Sequence, residues 1–187
     1  MSRAVRWTVA DLEGLPDDGT RYEIIDGELH VSKQPDWRHQ FVCGRLFKAL
    51  DLWDDQTGAG FAIPAPGVIF SDEDAVAPDV VWISKVRLAG ATDDQGHLRT
   101  APDLVIEVLS PGFTNERRDR QTKLKLYSIR GASEYWLVDW RQRQVEVYRR
   151  EEAMLRLVET LREADTLSSP LLPGFRLPVA QLFADGS

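Results

Sequence analysis

The stretch PDLVIEVLS, Pro102 to Ser110, decides how this chain is read. Its apolar density and its flanks, Pro-Asp before and Ser-Pro-Gly after, are those of a central strand. Side chains alternate along a strand, so Asp103, Val105, Glu107 and Leu109 share one face and Leu104, Ile106 and Val108 the other. Glu107 therefore sits within an apolar run. A carboxylate there needs a cation, a proton or hydrogen bonds to offset its burial.

A second Pro-Asp, with Asp79, opens the apolar strand PDVVWIS twenty-eight positions before Glu107. Sixteen positions after Glu107, Lys123 lies on a predicted helix capped by Thr114 or Asn115, running to about Arg130 and stopped by Gly131. At about 100° per residue from Lys123, Tyr127 falls near 40°, Leu124 near 100°, Ile129 near 240° and Leu126 near 300°. Their mean direction points at Lys123, whereas Lys125 lies opposite, so Lys123 is expected to face the sheet and Lys125 water. Asp119, one turn earlier, has the i,i+4 spacing to pair with Lys123. Two strand carboxylates and a helical lysine form the set that a metal-dependent phosphodiester hydrolase needs. Each has a plainer reading: a structural ion pair for Glu107, a turn end for Asp79 and Asp103, a snorkelling side chain for Lys123.

Around this centre, RYEIIDGELHVS predicts a β-hairpin turning at Asp26-Gly27. An amphipathic helix is expected from about Pro35 to Trp53, one or two strands within Gly58–Phe70, and a polar loop from about Lys85 to Thr100. EYWLVDW and QVEVYRR predict a strand pair around Arg141-Gln142, with a further strand over Leu155–Thr160 and an irregular tail. The expectation is a mixed α/β sandwich in one domain, with a core over about 21–150 and the C-terminal strand and tail over 151–187. Glu23 alternates onto the hairpin face of Ile25 and is a candidate additional acid. His39, Arg117 and Arg120 are candidate contacts to a substrate phosphate.

A net charge of −7 argues against nucleic acid, because phosphate binding draws on lysine and arginine. The local run Arg117, Arg118, Arg120, Lys123 and Lys125 softens that objection. Cys43 is the sole cysteine, no apolar run approaches roughly 20 residues, and no secretory leader is visible; a cytoplasmic protein is expected. A glycine-rich phosphate loop, a nucleophile elbow and a cysteine-histidine zinc pattern are all lacking.

The segments RYEIIDGELHVS, His39 in its helix, APDVVWIS, PDLVIEVLSPG, Asp119 to Tyr127 and GASEYWLVD together resemble a large bacterial family of restriction endonucleases with a PD-(D/E)XK-type core. The resemblance implies a restriction-endonuclease-like α/β fold, a central mixed sheet flanked by helices. It also implies divalent-metal binding by Asp79 and Glu107, Lys123 as catalytic lysine and Glu23 as an added acid. The lysine of the general motif would stand at Leu109; here it is displaced to the following helix. The expected activity is Mg²⁺- or Mn²⁺-dependent DNA cleavage, with the Val108 carbonyl as a third metal ligand and Lys123→Ala abolishing turnover while sparing the fold. A homodimer is expected if both strands of a duplex are cut, and EYWLVDW with VEVYRR is apolar enough to serve as interface or core. Two other readings stand beside it: a catalytically inactive nuclease fold that binds DNA or a protein, and a β-rich interaction or sugar-binding protein.

Overall fold

The structure, a computed structural model, describes residues 5–183. After the short helix α1 (Val9–Leu12), strands β1 (Arg21–Ile25) and β2 (Glu28–Ser32) pair antiparallel as the expected hairpin. Asp26 and Gly27 turn it with φ of 52° and 70°, the left-handed pair that the right-handed strand twist demands. Helix α2 (Trp37–Thr57) begins where the Asp36 carboxylate accepts the Arg38 N–H at 2.8 Å and ends at Gly58 in the left-handed region. It runs a turn beyond the expected end.

Strands β3 (Gly60–Pro64), β4 (Val68–Ser71), β5 (Asp74–Val76) and β6 (Val80–Ser84) follow. One-turn helix α3 (Lys85–Leu88) opens the segment expected to be loop, started by the Ser84 hydroxyl accepting the Arg87 N–H. Strand β7 (Leu104–Val108) is the quoted stretch, and every residue of it is buried. The next helix has three parts: α4 (Phe113–Arg117), a wide π-helical turn (Arg118–Lys123) and α5 (Leu124–Arg130). Gly112, rather than Thr114 or Asn115, precedes its first turn; the Asn115 amide instead donates to the Pro111 carbonyl. Gly131 ends it at φ 92°, as expected.

Strands β8 (Glu134–Asp139), β9 (Gln144–Glu151) and β10 (Met154–Arg162) complete the larger sheet, of order β10-β9-β8-β7-β6-β3. Only β7 and β8 run parallel within it, so the sheet is mixed. A smaller sheet has the order β2-β1-β5-β4. The tail holds the β11 (Thr166–Leu167) and β12 (Leu177–Pro178) pair and α6 (Ala180–Phe183), more structure than the expected irregular segment.

Alternation along the central strands divides the core. Leu104, Ile106, Val108, Trp136 and Val138 pack with Val42, Leu46 and Leu50 of α2 and with the tail. Val105, Leu109, Tyr135 and Leu137 face α5 and the smaller sheet. The central mixed sheet is thus flanked by helices on both faces. EYWLVD, residues 134–139, lies inside it as the fully buried β8, and Trp140 stands just beyond the strand, partly exposed. Among the described residues, no helix is long and apolar enough to cross a membrane.

Candidate active site

Glu107 is 2 % exposed, on the α5 side of the sheet. Its Oε1 accepts from Lys123 Nζ at 2.8 Å and from the Tyr127 hydroxyl at 3.0 Å. Lys123 is fully buried and reaches Glu23 Oε1 at 2.9 Å as well, so one ammonium joins the hairpin to the central strand. The backbone N–H of Ala77 also donates to Glu23 Oε1, while Glu23 Oε2 has no hydrogen-bond partner among the described residues. Lys125 is exposed, as the helical wheel requires. Ile129 is 66 % exposed and contributes nothing to the inward face, contrary to the wheel.

Asp79 precedes β6, and the antiparallel register that sets Val80 opposite Ile106 carries Asp79 across from Glu107. Its Oδ1 accepts from Arg21 at 2.9 Å; its Oδ2 accepts from the Val108 N–H at 2.8 Å and lies 3.3 Å from His39 Nε2. His39 is buried, with Nδ1 3.6 Å from Cys43 Sγ one turn along α2. Asp103 is apart from this group: it accepts the Ser84 N–H and pairs with Arg87, the structural role weighed for it.

The π-helical turn sets which basic residues arrive. That turn is hydrogen-bonded from residue i to i+5, and it carries Arg118, Asp119 and Lys123 into the interior. Arg118 bonds Asp119 at 3.0 Å and Ser32 at 2.7 Å. Asp119 consequently takes Arg118 as its hydrogen-bonding partner, not Lys123 as α-helical spacing suggested. Arg117 is exposed, and Arg120 bonds Glu146 on β9. Neither is among the residues that line the cleft beside Asp79 and Glu107. Arg21 and Arg118 do line that cleft, of about 250 Å³, together with parts of His39, Asp79, Glu107 and Asp119.

Four carboxyl groups, Glu23, Asp79, Glu107 and Asp119, here face three permanent cations, Arg21, Arg118 and Lys123. Burial pushes Glu107 up to about 8; Lys123 opposes the rise, and Asp79, Asp119 and Glu23 add to it. Burial also acts against ionised Asp79, but His39, Arg21 and Lys123 outweigh it and hold that carboxyl well below its ordinary range. Glu23 is likewise held low, because Lys123 and Arg118 overcome its burial. The acids have therefore been driven apart in proton affinity, as at sites that bind cations or move protons.

The residues suit a divalent cation. Four carboxyl groups close together, with an unpartnered buried oxygen on Glu23 and Asp79 facing Glu107 at one cleft, are the oxygen-rich surroundings that hard ions take. A softer donor set also exists: ligating atoms of His39, Cys43 and Asp79 lie within 4.8 Å of one another. The sequence shows no zinc pattern because Asp79 joins that set only through the fold. Burial pushes the Cys43 thiol far above its usual range, keeping it protonated in the metal-free site.

Residues 9–180 match the family model described as "Uma2: Putative restriction endonuclease". The chain belongs to the Uma2 family. This Uma2 protein is also similar in structure to a "putative nuclease belonging to DUF820" from Anabaena variabilis, at 20% identity and a TM-score of 0.74. That likeness covers 94% of this chain and 97% of the other, and it shows the fold. The type IIG restriction endonuclease BpuSI aligns at 12% identity and a TM-score of 0.41, over 81% of this chain and 16% of its own; at that level it carries no argument. No curated protein matches the Uma2 chain in sequence.

Proposed function

We propose that this Uma2 protein is a divalent-metal-dependent DNA endonuclease centred on Asp79, Glu107, Lys123 and Glu23. The observation that carries the reading is the buried Glu23–Lys123–Glu107 bridge beside Asp79 at an open cleft. Asp79, Glu107 and the Val108 carbonyl would hold Mg²⁺ or Mn²⁺. Bound there, the ion would acidify a water and polarise the scissile phosphate.

The protein's own groups do the rest. Lys123 spends two of its three donors on Glu107 and Glu23, leaving one to orient the attacking water. Tyr127 and Lys123 fix the Glu107 carboxylate from one side, and the Val108 N–H with His39 fixes Asp79. Arg21 and Arg118 line the cleft where a phosphodiester would lie and counter its charge. Two copies would cut the two strands of a duplex.

One observation favours a second reading, a nuclease fold that binds without cutting. Asp79 is already engaged by Arg21, His39 and the Val108 N–H, so an entering ion has to displace or share these partners.

The test is cleavage of supercoiled plasmid and single-stranded DNA with Mg²⁺ or Mn²⁺, by the parent and by Glu107→Ala. Metal-dependent cutting lost in the variant is the expected result. Absence of cutting, with Mn²⁺ binding also absent by isothermal titration, would sink the nuclease assignment.

A further inference from the structure

The first turn of α2 has a second side. His39 and Gln40 line the carboxylate cleft, whereas Trp37, Arg38 and Phe41 line a separate hollow of about 360 Å³ with Trp140 and Arg141. One helical turn is the partition between the two. The Trp140 indole N–H donates to the Leu109 carbonyl at 3.1 Å, two residues beyond Glu107. The aromatic wall of the hollow is therefore tied to the end of the strand that carries the site.

Planar groups dominate this surface. The Arg38 guanidinium lies 4.7 Å from the centre of the Trp37 ring and 5.9 Å from that of Trp140, and Arg45 lies 4.9 Å from the Phe41 ring. Trp37 is 60 % exposed, unlike the other strand and helix tryptophans Trp53, Trp82 and Trp136, which are buried. Core packing explains those three and leaves Trp37 unexplained. An open indole face interleaved with guanidinium planes is suited to a flat, electron-rich ring attached to an anion.

A net charge of −7 weakens binding that draws on phosphate contacts alone. Stacking supplies affinity without net positive charge, and it tolerates any sequence because every base has a π face. We propose that this hollow is a stacking subsite for an unpaired base of the strand whose phosphate occupies the neighbouring cleft. The inference rests on the nuclease reading and narrows it: the preferred substrate carries unpaired nucleotides, as in a single strand, an overhang or a flap.

The test is fluorescence anisotropy with a labelled single-stranded oligonucleotide and a blunt duplex of the same sequence, with Ca²⁺ present. Trp37→Ala, at an exposed position, is expected to weaken single-strand binding about tenfold and duplex binding little. An oligonucleotide with one abasic nucleotide, moved along the strand, should show a sensitive position with the parent and a flat profile with Trp37→Ala. Equal single-strand affinities of parent and variant, or an unchanged abasic profile, would overturn the proposal. So would a dimer that falls to monomers in Trp37→Ala with oligonucleotide affinity unchanged, which would assign the surface to a second copy. Cleaving the same oligonucleotide with Mg²⁺ separates the two readings: cutting without a stacking signature removes only the subsite. Stacking with neither metal-dependent cutting nor Mn²⁺ binding supports the subsite and removes the nuclease.

Discussion

Two buried glutamates on neighbouring parallel strands differ in what their surroundings leave undone. Glu134, on β8, points to the α2 side; its Oε1 accepts from the Trp136 indole at 2.7 Å and its Oε2 from the Ser169 hydroxyl at 2.7 Å, with Arg149 3.6 Å away. Glu107, on β7, points to the α5 side among three other carboxyl groups and opens on a cleft. Burial raises the proton affinity of both. Only at Glu107 do neighbouring acids add to the rise. A buried carboxylate is thus no sign of a site in itself; crowding by like charge beside an opening is the better sign.

The sharpest way to break this contrast is to make the same change at both. Glu107→Gln is expected to lower metal-dependent cleavage about a thousandfold, a barrier increase of ~4 kcal/mol, while Glu134→Gln stays within about threefold of the parent. Comparable losses in the two variants would dissolve the distinction. Stability is the next discriminator. Lys123→Ala strands Glu23 and Glu107 in the interior and should cost ~3–5 kcal/mol in urea unfolding, so the expectation that this variant spares the fold is revised. Arg149→Ala, removing a half-exposed partner 3.6 Å from Glu134, should cost about 1 kcal/mol or less.

The same contrast can be sharpened by a slope with pH in the metal-free protein. The folded chain holds the Glu107 proton with a pKa of about 8, against 4.5 for an ordinary glutamate. That contribution is fully present below about pH 4.5 and is lost as the pH rises through about 8. Melting curves in EDTA should therefore fall between these values for the parent and fall less for Glu107→Gln. Equal slopes in the two would show that Glu107 ionises normally.

How far the chain could be read in advance depended on whether the deciding contacts were local. The hairpin, the faces of β7 and the inward turn of Lys123 follow from periods of two and 3.6 residues, and all appear in the structure. Arg21 lies two positions before Glu23 on one strand face, and that alternation was the available signal for it. Cys43 stands one turn from His39, yet Asp79 meets them only through tertiary packing. Glu134 drew no notice because its partners, Ser169 and Arg149, come from the tail and from β9. Asp119 was read at α-helical spacing from Lys123, whereas the turn between them is π-helical and Asp119 bonds Arg118.

The six residues Arg118–Lys123 wind with more residues per turn than the α-helical segments on either side. They act as a phase shift written into the backbone. Upstream and downstream segments each keep an ordinary helical rhythm, but the two rhythms are offset. A helical wheel drawn at constant α-helical spacing across this point puts the residues on one side out of phase with those on the other.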